Sequence, residues 1–343
     1  MQLGTMVFMK ILVTGGSGFI GSHLCNSLLK KGFKVRALIR YTSRQNEGWL
    51  SNIKNKNLEL FFGDVTDFDS VRNASEGCDY IYNLAASISV PYSFKNPQTF
   101  IDTNILGALN IFRVATIKNN KIKKIIQISS SEVYGNNLLK NKNTLNEETI
   151  TISESPYAAT KIAADNLAIS MHKSLNIPIV VARPFNTFGP RQSLRAVIPT
   201  LVTQFLSLSK DNNEITIGNL KTSRDFVFVQ DTVDGLISLL KPSCKPGEIY
   251  NICTGQSFSI QSIIKNLNSI SGQKPRINSS KKRFRKAEVY NLRGSYKKIF
   301  TANKWEPKYK NAKGFSNALR ETYEWFQKSE NLKKYSNIKK YNI

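Results

Sequence analysis

Short, uninterrupted runs of Val, Ile, Leu and Phe recur from residue 10 to residue 183, with stretches of helical period between them. The runs cover 10–14, 35–39, 58–62, 80–84, 125–129 and 177–183; the helical stretches include 21–31, 100–118 and 156–175. Strands apolar on both faces need cover on both faces, so their alternation with helices predicts a parallel sheet sandwiched between helical layers. The expected fold class is α/β, a doubly wound parallel sheet. After Arg183 the pattern breaks at Pro184, Gly189 and Pro190, yet a further helix at 231–240 and a strand at 248–253 follow. This places the sheet domain at 9–184 plus 226–254 and a smaller mixed α/β domain at 185–225 plus 255–330, followed by a loose Lys- and Asn-rich tail at 331–343.

The first run leads straight into Gly15-Gly16-Ser17-Gly18-Phe19-Ile20-Gly21 and then a helix. Glycines at 15, 18 and 21 permit a tight turn, close approach of backbone to a pyrophosphate and close helix packing, while the helix N-terminus offers unpaired N–H donors. A dinucleotide site is expected there. NAD sites usually carry an acid at the end of the second strand, but here that stretch reads Arg36-Ala37-Leu38-Ile39-Arg40-Tyr41. Arg36 or Arg40 is therefore either a solvated charge or a partner for the 2′-phosphate of NADP. Asp64, followed by Val65 after the third run, suits either the adenine end or a simple turn.

Two segments carry chemistry. Ser129-Ser130-Ser131-Glu132 follows the fifth run, at the sheet edge where wound folds hold ligands. Tyr157-Ala158-Ala159-Thr160-Lys161 opens a helix, with Ser155 as N-cap and Pro156 at the first position. The i, i+4 spacing puts Tyr157 and Lys161 on one face, where an ammonium beside a phenol would lower the phenol's pKa toward working pH. Tyr157 is then a general base, Ser130 a hydrogen-bond partner of the reacting hydroxyl or a strand-end cap, and Glu132 a base for a carbon-bound proton.

Composition limits the alternatives. Lys and Arg number 49 against 24 Asp and Glu, a formal charge of +25 that would draw nucleotide phosphates, nucleic acid or anionic membrane. These charges are scattered over nearly every expected loop, which argues against a nucleic-acid footprint. Cys25, Cys78, Cys244 and Cys253 show no CxxC spacing, so neither a metal site nor a disulfide framework is expected. No run reaches the roughly 18 apolar residues of a membrane span, and a cytoplasmic protein is expected. A dinucleotide sensor would keep the glycine loop without needing Tyr157, Lys161 and Glu132 together.

The glycine loop, Asn83-Leu84-Ala85-Ala86, the Tyr157/Lys161 pair and Arg183-Pro184-Phe185-Asn186 together resemble the nucleotide-sugar branch of the extended short-chain dehydrogenase/reductases, a Rossmann-fold superfamily. Within it, the segments 48–50, 91–93, 101–104, 189–193 and 195–199 most resemble configuration-retaining NDP-N-acetylglucosamine 4,6-dehydratases of legionaminic-acid-type pathways. The resemblance implies NAD, or NADP, held by Gly15, Gly18, Phe19, Ile20, Gly21, Arg40, Asp64, Val65, Leu84, Ala85, Ala86, Tyr157 and Lys161. It implies a UDP- or GDP-N-acetylglucosamine substrate met by Ser87, Ser131, Asn186, Arg191, Val197, Arg224 and Arg285, and a homodimer paired through the helices at 100–118 and 156–175. The dTDP-glucose dehydratases have an acidic Asp where this chain has Ser131, so Glu132 would have to serve the departing hydroxyl as well. UDP-glucuronate decarboxylases also carry a Ser-Glu pair and are the main rival, beside NDP-sugar 4-epimerases.

Overall fold

The computed structural model describes residues 9–42, 46–118, 120–137, 144–280 and 289–335. Strands β1 (Lys10–Thr14), β2 (Lys34–Arg40), β3 (Leu58–Gly63), β4 (Tyr80–Asn83), β5 (Lys124–Ile128) and β6 (Ile179–Pro184) join β11 (Ile249–Ile252) in one sheet. Its order is β11-β6-β5-β4-β1-β2-β3, and each pairing is parallel. The expected doubly wound sheet is borne out, with the direction of winding reversing between β1 and β4. A crevice opens at such a point, beyond the carboxyl ends of the strands.

Helices cover both faces. On one, α1 (Phe19–Lys30) and α8 (Val229–Ser238) pack over Ile11, Val13, Ile126 and Val180. On the other, α2 (Phe68–Ser75), α5 (Gly107–Arg113) and α6 (Pro156–Leu175) cover Leu12, Ile81, Ile125 and Ile179. The expected helix over 100–118 is a composite: α4 (Pro97–Phe100) runs into a π-helical stretch, Ile101–Leu106, before α5. The short α3 (Val90–Ser93) precedes it, and both α3 and α4 lie on α6.

A second core collects α7 (Val197–Leu206), α9 (Ile260–Ser271) and α11 (Ala312–Gln327) around Phe188, Phe205, Phe226 and Phe315. Short pairings complete this part. β7 (Asn186–Phe188) runs beside β10 (Phe226–Phe228), β8 (Glu214–Ile217) beside β13 (Arg276–Ser279), and β9 (Ser223–Arg224) between β12 (Phe258–Ser259) and β14 (Asn291–Leu292). The two cores exchange material in ways that linear boundaries miss. Helix α10 (Lys297–Asn303) and Trp305 fall in the range assigned to the smaller domain, yet Ile299 and Trp305 pack in the sheet domain. The tail expected from 331 is not loose over its described part: α12 (Ser329–Lys333) is helical, Leu332 packs on the second core and Tyr335 is buried in it. These contacts come from residues too far apart in sequence for periodicity to reveal.

Candidate active site

The crevice is fixed by a buried polar ladder. Thr14 Oγ donates to Asn83 Oδ1 at 2.7 Å, and Asn83 Nδ2 donates to Gln127 Oε1 at 2.7 Å, so the carboxyl ends of β1, β4 and β5 are tied together. Ala85 N–H donates back to Thr14 Oγ at 3.0 Å, which brings 84–86 against the glycine loop. Gly15 has φ +66°, and a Cβ there would meet Ala85 N at 3.0 Å. A Cβ on Gly21 would collide with the carbonyl of Gly15, so α1 packs on the loop as closely as its backbone allows. No side chain caps α1, leaving its first-turn N–H groups at 19–21 without a capping acceptor. This cradle fits an anion such as a dinucleotide pyrophosphate, with Gly15, Gly18, Phe19, Ile20 and Gly21 as its walls.

At the far end of β2 the two arginines part company. Arg36 donates to the carbonyls of Asn73, Ala74 and Glu76 at 3.3, 2.8 and 3.0 Å and pairs with Glu59 at 2.9 Å. It caps the C-terminal end of α2, which corrects the reading of Arg36 as a 2′-phosphate partner. Arg40 is largely exposed and pairs with Asp64 at 3.1 Å. Asp64 also accepts from Thr66 N and Oγ, a turn role, and these bonds lower its pKa against the opposing effect of burial. Val65, next in the chain, is buried against Gly107 of α5.

The chemical residues converge. Ser130 ends the β5 segment in an extended conformation and its hydroxyl accepts from Glu132 N–H at 3.2 Å, opening the 3₁₀ turn Ser131–Tyr134. The same hydroxyl faces the Tyr157 phenol closely enough to favour its ionised form, so the strand-end cap also lies beside the phenol. Ser155 caps α6 through Ala158 N–H at 3.1 Å, and Pro156 takes its first turn, as expected. Lys161 is buried and its Nζ donates to the Ile128 carbonyl at 2.8 Å.

The expected lowering of the tyrosine pKa does not occur. Burial pushes the Tyr157 phenol up to about 12, and the charges of Glu132 and Asp165 push the same way. Burial also lowers Lys161 to about 8 against the pull of Asp165. In a dry environment desolvation is the largest effect on both groups, and the Lys161 ammonium is spent on the Ile128 carbonyl.

Sequence reasoning missed Asp165, although it continues the i, i+4 series of Tyr157 and Lys161. Buried on the same helix, it accepts from Ser129 Oγ at 2.9 Å and from Arg183 Nε at 3.0 Å. Arg183 reaches on to the Tyr134 hydroxyl at 3.1 Å, so this arginine ties the site's floor together. Asn104 was also missed as a working residue. From the π-helical stretch its amide accepts from Ser87 N–H at 2.8 Å and donates to Ser87 O and Thr160 Oγ, each at 3.0 Å.

The residues expected at the sugar nucleotide are more dispersed. Ser87 is held by Asn104 beside α6, and Ser131 is buried behind Ser130. The Asn186 side-chain oxygen is buried without a hydrogen-bond partner, as a ligand-facing amide would be. Val197 opens α7, and Arg224 is buried on β9 with one nitrogen on the Ser223 carbonyl at 3.0 Å. Its neighbour Asp225 accepts from Thr254 N and Oγ, Gly255 N and Gly294 N, knotting three segments behind that arginine. Arg191 has a left-handed backbone (φ 69°) and donates to Ser22 Oγ of α1 at 3.2 Å, so it lies at the dinucleotide helix. Arg285 lies outside the described residues.

A wound sheet with a glycine cradle at its reversal and a Ser-Tyr-Lys cluster beside it defines a dinucleotide-dependent enzyme class. The chain belongs to the GDP-mannose 4,6 dehydratase family, which it matches over residues 12–318. It is 34% identical over 277 residues to a dTDP-D-glucose 4,6-dehydratase of Dictyostelium discoideum, a match covering 76% of this chain and 62% of that protein's length. The UDP-glucuronic acid 4-epimerase of Bacillus cereus, solved with UDP-glucuronic acid and NAD, superimposes with a TM-score of 0.82 at 30% identity, covering 93% of this chain and 99% of that one. The dTDP-glucose 4,6-dehydratase DesIV of Streptomyces venezuelae, solved with NAD, gives 0.82 at 25% identity, covering 94% and 98%.

Proposed function

We propose that this protein is a configuration-retaining 4,6-dehydratase of a UDP- or GDP-linked N-acetylhexosamine, working with an NAD that is restored in every cycle. One cluster carries the reading: Ser130, whose hydroxyl accepts from Glu132 N–H at 3.2 Å, faces the buried Tyr157 phenol in the first turn of α6, with the Glu132 carboxylate near enough for its charge to act on that phenol. NAD held by the glycine loop would supply a reversible hydride acceptor for carbon 4 and donor for carbon 6, and its positive ring would favour the phenolate that burial alone disfavours. Tyr157 accepts the 4-hydroxyl proton while Ser130 orients that hydroxyl. The resulting 4-keto group acidifies carbon 5. Glu132 removes the carbon-5 proton and passes it to the carbon-6 hydroxyl, which leaves as water; a solvent-derived proton later returns to carbon 5.

Commitment of Arg36 to α2 and of Arg40 to Asp64 supports NAD over NADP. Family relatives that bind NAD support it too. The N-acetylhexosamine and the legionaminic-acid-type pathway rest on the resemblance of segments 48–50, 91–93, 189–193 and 195–199. Arg191, Arg224 and Arg285 are proposed for the diphosphate, where guanidinium forks match phosphate oxygens. A UDP-glucuronate decarboxylase is the second reading, favoured by the buried neutral Ser131, because loss of carbon dioxide needs no acid at a departing hydroxyl.

Incubation with UDP- and GDP-N-acetylglucosamine, dTDP-glucose and UDP-glucuronate in heavy water tests both. A 4,6-dehydratase yields a product one water lighter that carries a deuteron at carbon 5. Turnover of UDP-glucuronate alone, with carbon dioxide released, would replace the first reading by the second. An epimerase exchanges nothing at carbon 5.

A further inference from the structure

We infer that Trp49, Trp325 and Tyr335 form an aromatic bolt that holds the glycine loop against the second domain and sets how slowly the dinucleotide leaves. The inference rests on the dinucleotide reading and adds to it a set of positioning residues outside the glycine loop itself.

The connection after β2 returns over the glycine loop. Gly48 has φ +56°, and a Cβ there would stand 2.7 Å from the carbonyl oxygen of Ser17, so glycine alone lets the chain lie so close. The next residue, Trp49, donates its backbone N–H to that carbonyl at 3.2 Å. Ser17 sits inside the cradle, two positions before α1 begins.

The Trp49 indole points into the C-terminal region. Its ring lies 5.6 Å from Trp325 and 5.6 Å from Tyr335, while Trp325 and Tyr335 are 6.4 Å apart. The Lys334 ammonium stands 5.3 Å from the Trp49 ring centroid. Tyr335 is only 6% exposed, and its hydroxyl donates to the Gln192 carbonyl at 2.9 Å. The chain just before Gln192 grips α1: His23 Nε2 bonds to the Pro190 carbonyl at 3.0 Å, and Arg191 donates to Ser22. Phe19 of the glycine motif packs on the second core, as Trp49 does.

The start of α1 is thereby held from two sides, by the 48–50 turn and by the 189–192 loop, and the C-terminal segment joins these two holds. Main-chain N–H groups bind an anion well only while they converge, and holding them converged before binding removes part of the ordering cost. A hydride that must be returned to the same substrate makes slow release of the dinucleotide an asset. Loosening the bolt lets the loop backbone move without touching Tyr157 or Glu132.

The test uses the full-length protein loaded with labelled NAD and chased with excess unlabelled NAD, with melting temperatures measured alongside. Trp49→Ala is expected to speed NAD release about tenfold, the effect of roughly 1.4 kcal/mol of lost interaction. Tyr335→Phe, which removes only one hydrogen bond, should speed it about threefold, and Trp49→Phe should largely restore retention. At saturating NAD, kcat should stay within about twofold of the parent, the split that distinguishes retention from chemistry. Parental release rates in folded Trp49→Ala and Tyr335→Phe overturn the inference. If Trp49→Ala does not fold, Tyr335→Phe decides alone. If the parent takes up neither NAD nor NADP, the dinucleotide reading falls and this inference with it, a result distinct from tight binding with unchanged release.

Discussion

Burial keeps the Tyr157 phenol protonated and neutral, pushed up to about 12, and brings the Lys161 ammonium down to about 8, so that Lys161 still carries its proton at neutral pH but gives it up just above. For Tyr157 to act as the proposed base, charge must arrive with its ligands. Tyr157→Phe removes the hydroxyl and keeps the ring against Phe100, so the fold should survive while turnover falls roughly 10²- to 10⁴-fold. Glu132→Gln should divide the reaction: the reduced-nicotinamide absorbance should appear on adding substrate and persist, with no water lost. Parental dehydration by that variant would remove Glu132 from the mechanism. Lys161 gives a pH signature of its own. The native state releases its proton near pH 8 while the unfolded chain keeps it to about 10.5, so between these values the unfolded state binds more protons and stability rises with pH. Urea denaturation at pH 7.5 and 9.5 should show a gain on the order of 1 kcal/mol in the parent that Lys161→Met lacks.

The elements that carry the site differ in how far sequence announces them. β1, the glycine loop and α6 are legible because each has a local cause: an apolar run, a glycine spacing, a Ser155-Pro156 start. The π-helical stretch Ile101–Leu106 is not, since one extra residue in a turn leaves the apolar pattern readable as a single helix. Yet that stretch presents Asn104 to both Ser87 and Thr160, joining the segment after β4 to the turn of α6 between Tyr157 and Lys161. Arg36 was misread for a similar reason: its carbonyl partners on α2 are set by the winding of the sheet, and nothing beside it in sequence announces them. Asn104→Ala would take away the partner of Ser87 N–H and of Ser87 O, each loss costing about 1–3 kcal/mol, while Thr160 Oγ keeps its bond to the Tyr157 carbonyl. The expected result is a KM for the sugar nucleotide raised about tenfold, with dinucleotide binding nearly unchanged. Equal losses in both, following the melting temperature, would make Asn104 only a structural support.

At the scale of the molecule, two cores share their boundaries through α10, Phe19 and Trp49, so the halves of the crevice are not free to drift apart. Among the described residues, one group of large apolar side chains stands exposed on a single face. Tyr92, Phe94, Ile101 and Leu106 are each at least 40% exposed on the short helices and the π-helical stretch that pack beside α6. Large apolar side chains clustered on one face mark an interaction surface, and a stable pair needs about 800 Å² buried on each partner. We propose that a second copy covers this face, packing these helices and α6 against their own counterparts about a twofold axis. Such a pairing would bear on the site, because the same helices carry Asn104, Tyr157 and Lys161. Light scattering at micromolar concentration should give twice the 38.7 kDa chain mass. Ile101→Glu combined with Leu106→Glu places like charges across the axis and should give a monomer of reduced turnover that still binds the dinucleotide. A parent that scatters as a monomer, or a charged variant that still pairs, would place the contact elsewhere or remove it.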